Sequence, residues 1–171
     1  MKYFILLFTI VGLALSSCGN KAEKKADPSA PLTKVANPNG LTDFQMENGI
    51  GPVTEKLQLG EIDEAKAKKG EAAFKIKCAA CHKLDARFIG PAQRYTADRR
   101  SPAYILNMMM NPDTMLAKHP IAQKMLAEYK APMANMHITM AEAMDILEYM
   151  RLVTNEGHEK NIPEVPVFAT K

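Results

Sequence analysis

The chain has 171 residues, is 24% charged and 6% aromatic, and carries a formal charge of +3. Once an apolar leader is set aside, that length suits a single domain. The small positive charge, with no basic run interleaved with aromatics, excludes nucleic acid as an expected partner.

In chain order, residues 1–17 ("MKYFILLFTIVGLALSS") combine Lys2 with an apolar run that is short for a permanent membrane span. This is the layout of a secretory signal peptide. The run ends in "LSSC", which resembles the bacterial lipobox, so Cys18 is expected to become a lipid-bearing N-terminus. Several acyl chains on one residue give stable anchoring. An ordinary signal peptide with a chance cysteine is the alternative. Residues 18–59 are rich in Lys, Pro, Asn and Ala and are expected to be a flexible tether, with a typical reach of about 35 Å. Val53, Leu57 and Leu59 alternate as a short extended segment that could begin to pack. Residues 60–154 are expected to form the compact domain, and residues 155–171 an extended C-terminal tail.

"GEIDEAKAKKGEAAFKIKCAACH" reads as one helix from about Glu61, with an acidic first turn and basic later turns that suit the helix dipole. Gly70, Phe74 and Cys78 share a face at four-residue spacing. Glycine within a helix costs up to about 1 kcal/mol against alanine. Close approach of another helix would justify that cost.

The three cysteines are Cys18, Cys78 and Cys81. A disulfide between the last two is chemically possible in an exported protein. A zinc site would need further ligands, and a second Cys-x-x-Cys is missing. A thioredoxin-type pair would sit beside strands and crossover helices, which the pattern lacks. Cys78-Ala79-Ala80-Cys81-His82 reads most directly as the attachment site of one covalent haem c, with His82 reaching the iron.

Ser101-Pro102 and Asn111-Pro112 each pair a cap with proline at the first helical position. They open one short helix and then one or two more. The excess of Lys and Arg between Lys83 and Lys130 reads as a mildly positive rim or as ordinary solvated helix surface. "ITMAEAMDILEYMRLV" is amphipathic, with Thr139 as N-cap and Glu142 completing a capping box. Strand signatures are missing throughout, so the expected fold class is all-α: three to five helices around one haem.

For the sixth iron ligand the candidates are the methionines, His119, His137, His158 or water. Most of the 12 methionines are expected to be core filler. Met133, in the loop before Thr139, is the preferred ligand because a loop bends a side chain onto a metal more readily than a helix face does. Met136 is its rival. Phe74, Phe88, Ile89, Tyr95, Ile105 and Met108 to Met110 are candidate wall residues, with plain core packing as their alternative role.

From about Gly60 to Val153 the chain resembles the class I cytochromes c. The resemblance rests on Gly70 and Phe74, Cys78-Ala-Ala-Cys81-His82, Ile89-Gly90-Pro91, Pro132-Met133 and the closing "ILEYMRL". It implies that Gly70 and Phe74 cross the last helix near Leu147 and Tyr149. It implies that the Pro91 carbonyl accepts a hydrogen bond from His82, and that Met133 is the sixth ligand. Ala134 departs from the family, where proline often follows the methionine. "SPAYILNMMMNPDTM", with the lipobox and tether, looks like a tethered variety from Gram-negative bacteria, some members of which serve terminal reductases such as nitrous-oxide reductase. The expected function is a lipid-anchored, periplasm-facing electron carrier, with the choice of inner or outer membrane left open. Its expected partners are an oxidase or reductase and a quinol-oxidising complex, with no small-molecule substrate. A haem enzyme or ligand sensor with an open sixth position, peroxidase-like, and a fixed haem subunit of a larger complex are the alternatives.

Overall fold

A computed structural model describes residues 37–168. The leader, Cys18 and the first part of the expected tether lie outside the described residues. Seven helices and no strand occur among the described residues, so the fold is all-α. They are α1 (Asp43–Asn48), α2 (Glu64–Lys77), α3 (Thr96–Arg99), α4 (Pro102–Met110), α5 (Pro112–Lys118), α6 (Pro120–Tyr129) and α7 (Met140–Glu159). Seven exceeds the expected three to five, because α1 lies in the stretch read as tether and α3 is a single turn.

Local chemistry explains most helix ends. The Asp63 carboxylate accepts from Lys66 N, so α2 starts at Glu64, three residues later than the expected Glu61. Ser101 Oγ accepts from Tyr104 N at the head of α4, with Pro102 at the first helical position. Thr139 and Glu142 form a reciprocal capping box at the head of α7. His119 and Pro120 separate α5 from α6. The His119 ring is fully buried, accepts from Ile121 N at Nδ1 and donates from Nε2 to Met46 O.

The core forms where α2 crosses α7 and α4 leans on α7. Phe74, Leu106, Ile146, Leu147 and Met150 are buried together there. Gly70 faces the α7 backbone, and a Cβ at that position would overlap the Asp145 carbonyl. One turn further along, the Phe74 and Tyr149 rings meet at 5.5 Å and 56°.

Two segments differ from the sequence expectation. Residues 42–59 are laid against the domain instead of hanging free. Thr42 and Gln45 cap α1 reciprocally, Val53 is buried, and Leu57 and Leu59 pack on the core. The fully buried Asn107 side chain accepts from Val53 N and donates to Asn48 O and Val53 O. At the other end α7 continues to Glu159, past the expected stop at 154. Gly157 lies within it because the Arg94 side chain and the Tyr95 hydroxyl occupy the space a Cβ would need. The following residues run over the domain as a strap. Tyr95 donates its hydroxyl to Ile162 O, Arg99 pairs with Glu164 at 2.6 Å, and Tyr129 donates to Val167 O at 2.7 Å.

Candidate functional site: an apolar cleft beside Cys78, Cys81 and His82

Helix α2 ends at Lys77, so the cysteine motif forms a turn of its own. Cys81 N and His82 N both donate to Cys78 O, at 3.0 and 2.9 Å. The turn folds Cys81 and His82 back towards Cys78 at the rim of a deep cleft. The cleft is open to solvent on one side and its walls are mostly apolar. Its walls come from every part of the domain: Phe74 on α2, Ile105 and Met109 on α4, Met125 on α6, the 131–138 loop, and Met150 on α7.

Both thiols are free. Before any bond to a cofactor is made, burial pushes the Cys78 thiol up to about 11. His82 Nδ1 stands 3.0 Å from Pro91 O, in the orientation of a ring N–H donating to that carbonyl. Burial lowers the His82 pKa, and the Pro91 bond partly opposes this. Gly90 allows the approach, since a Cβ there would overlap the His82 ring. The loop after the motif is tied to α7 by Arg94. Its guanidinium pairs with Asp85 at 2.8 Å through Nη2 and with Glu156 at 3.0 Å, and donates to Val153 O at 2.9 Å.

The methionines separate by environment. Met133 and Met136 both line the cleft. Met133 is partly buried against the main core, whereas Met136 is 39% exposed. Among the described histidines, His82 lines the cleft and the other three do not. His119 uses both ring nitrogens elsewhere, His158 faces Asp98 at 2.8 Å, and His137 is exposed.

Several expected wall residues play other parts. Phe88 is 53% exposed beneath the Lys83 ammonium, Tyr95 is held by the strap, and Met110 packs on the core beside the cleft. Gln93, Thr96, Arg99, Arg100 and Val167 line the cleft without having been singled out in the sequence. Arg100 is half-buried, lies 5.1 Å over the Tyr104 ring, and forms none of the ion pairs found among the described residues. Burial lowers its pKa. The nearest sequence signal was the Arg99-Arg100 pair itself, which reads equally well as solvated surface.

The sequence profile of the cytochrome c family matches residues 67–154. The chain belongs to the cytochrome c family. A cytochrome c from Rhodothermus marinus is 44% identical, with a TM-score of 0.62, over 66% of this chain and 97% of that one. An engineered form of the Rhodothermus marinus cytochrome c is 39% identical, with a TM-score of 0.61, over 75% of this chain and 99% of that one. The same engineered protein bound to a carbene intermediate gives a TM-score of 0.59. No curated protein sequence matches the chain.

The cofactor of this cytochrome c is covalently attached haem c, and its family function is haem-based electron transfer. The cleft fits that group. It offers two free thiols three residues apart, an oriented histidine, thioether side chains and apolar walls. It also holds a half-buried arginine, Arg100, that pairs with no carboxylate among the described residues, which suits the acidic edge of a haem.

Proposed function

We propose that this cytochrome c is a membrane-tethered, periplasm-facing carrier of single electrons between respiratory components. When bound, haem c supplies a one-electron couple between ferrous and ferric iron. Cys78 and Cys81 would hold it through thioether bonds, and His82 and Met133 would ligate its iron. The observation that carries this reading is the orientation of His82. Nδ1 is engaged by Pro91 O, which leaves Nε2 as the nitrogen free for a metal. The hydrogen bond fixes the ring and raises its basicity.

The other residues support a carrier that changes little on electron transfer. Apolar walls exclude water and disfavour the more highly charged ferric state. Arg100 and Tyr104 would meet the carboxylates of the haem edge. The lysine-flanked thiol turn remains near the surface, with Cys81 exposed. Lipid on Cys18 and the chain following it would keep the domain near a membrane and raise its effective concentration for partners there. Those partners would be a quinol-oxidising complex as donor and a terminal oxidase or nitrous-oxide reductase as acceptor.

A second reading, small-molecule chemistry at the iron, has one observation in its favour. The engineered relative was captured with a carbene intermediate, so a cleft of this family admits a small reactive group after redesign. The experiment that separates the readings is the absorption spectrum of the matured protein. A carrier shows covalent haem, a low-spin spectrum and a weak far-red sulfur–iron band. His82→Ala should abolish the low-spin state. A high-spin spectrum in the unaltered protein would overturn the carrier reading in favour of an open site.

A further inference from the structure

A second group contacts the same nitrogen of His82. Gln93 Nε2 lies 2.8 Å from His82 Nδ1 and 2.9 Å from Pro91 O. The orientation of this amide follows from its other end. Thr96 Oγ1 donates to Gln93 Oε1 at 3.1 Å, and Arg99 Nη2 donates to Thr96 Oγ1 at 3.1 Å. If the amide were turned over, its oxygen would face the Pro91 carbonyl oxygen at 2.9 Å, acceptor against acceptor, and the Thr96 proton would lose its own acceptor. The hydrogen bonds therefore run in one direction: from the Arg99 guanidinium through Thr96 and Gln93 to the Pro91 carbonyl.

We propose that Gln93 is a positioning residue that weakens the pull of the Pro91 carbonyl on the His82 N–H, and so raises the reduction potential. The inference rests on His82 being the iron ligand. A histidine bound through Nε2 carries its proton on Nδ1. The Pro91 oxygen has two lone pairs, and Gln93 takes a share of its electron density. The positive end of the amide dipole also faces the ring nitrogen. Both effects reduce electron donation from the ring towards the metal, which favours the ferrous state. Thr96 and Arg99 strengthen them, because donors aligned in a chain polarise one another. Neither Gln93 nor Thr96 carries a charge, so the effect does not depend on pH near neutrality.

The test uses matured holoprotein and two readouts, the midpoint potential and the NMR shift of the His82 Nδ1 proton. Gln93→Leu should keep the low-spin spectrum, lower the potential and move the proton resonance downfield, as a stronger N–H···O bond requires. Thr96→Val should shift both in the same sense by a smaller amount, and Thr96→Ser should restore both. In the Gln93→Leu background, Thr96→Val should add nothing. A potential that is unchanged or raised in Gln93→Leu overturns the proposal, as does a full Thr96→Val shift in that background. If Gln93→Leu matures poorly, the Thr96→Val and Thr96→Ser pair decides in the same way. His82→Ala tests the underlying ligation separately. Loss of the low-spin state there, with no shift in the Gln93 and Thr96 variants, would sink the relay and leave the ligand assignment standing.

Discussion

Gly70 on α2 lies directly against the Asp145 carbonyl on α7, with no room for a side chain between them. This contact sets how closely the two helices approach, and it aligns Phe74 with Tyr149 one turn later. Gly70→Val should therefore destabilise the holoprotein by about 3 kcal/mol, the scale of overpacking a tight core. Urea denaturation followed by haem absorbance reads this directly. An unchanged midpoint would mean that the crossing has slack.

Met133 and Met136 share the cleft but differ in burial. Met133→Ala should lower the reduction potential and let imidazole bind the iron, since a thioether ligand favours the ferrous state. Met136→Ala should do neither. The reverse pattern would move the ligand to Met136.

Asn107 satisfies three backbone groups of the 48–53 segment from a fully buried position. Asn107→Ala strands those groups, at a cost of about 3 kcal/mol. Limited proteolysis should then cut within residues 37–59 much faster than in the unaltered protein. Equal cutting rates would show that other contacts hold the segment.

Glu142 on α7 joins Lys77 on α2 electrostatically, at 2.8 Å. The Lys77 ammonium, reinforced by hydrogen bonds from Thr139, lowers its pKa from 4.5 to about 2. A lowered carboxyl pKa contributes stability that is fully present above the unfolded value and is lost as pH falls through the folded one. Glu142→Gln should thus melt earlier than the unaltered protein at pH 7. The gap should narrow between pH 4.5 and 2 and vanish below. A gap that stays constant across that range would assign the effect to the cap geometry alone.

The C-terminal strap reaches the cleft at Val167, which lines it and is bonded to Tyr129, and Glu164 is paired with the cleft residue Arg99. A chain ending at Asn161 should bind exogenous imidazole faster than the full chain, with Met133→Ala as the common background. Identical association rates would show that the strap does not limit access.

Much of this protein follows from short-range sequence features. Thr139 with Glu142, Ser101 with Pro102, and Asp63 with Lys66 are interactions within one helical turn, so they are set by neighbours in the chain. The Cys78-to-His82 spacing is likewise local, and it names the cofactor because few other groups need two thiols and an imidazole so close together. Gly70 was legible as a place of close approach, because glycine within a helix asks for a reason.

What only the folded molecule decided comes from residues far apart in sequence. The docking of residues 42–59 depends on Asn107, more than fifty positions later. The extension of α7 through Gly157 depends on Arg94 and Tyr95 filling the space above it. The isolated segment shows only a glycine among polar residues, which reads as a helix end. The Gln93 relay has no sequence signature, and the half-buried Arg100 shows in the sequence only as part of an Arg-Arg pair that reads equally well as solvated surface. Polar side chains look alike in a sequence whether they face water or converge on one ring nitrogen, and tertiary packing alone determines which groups lose their solvent and must find each other.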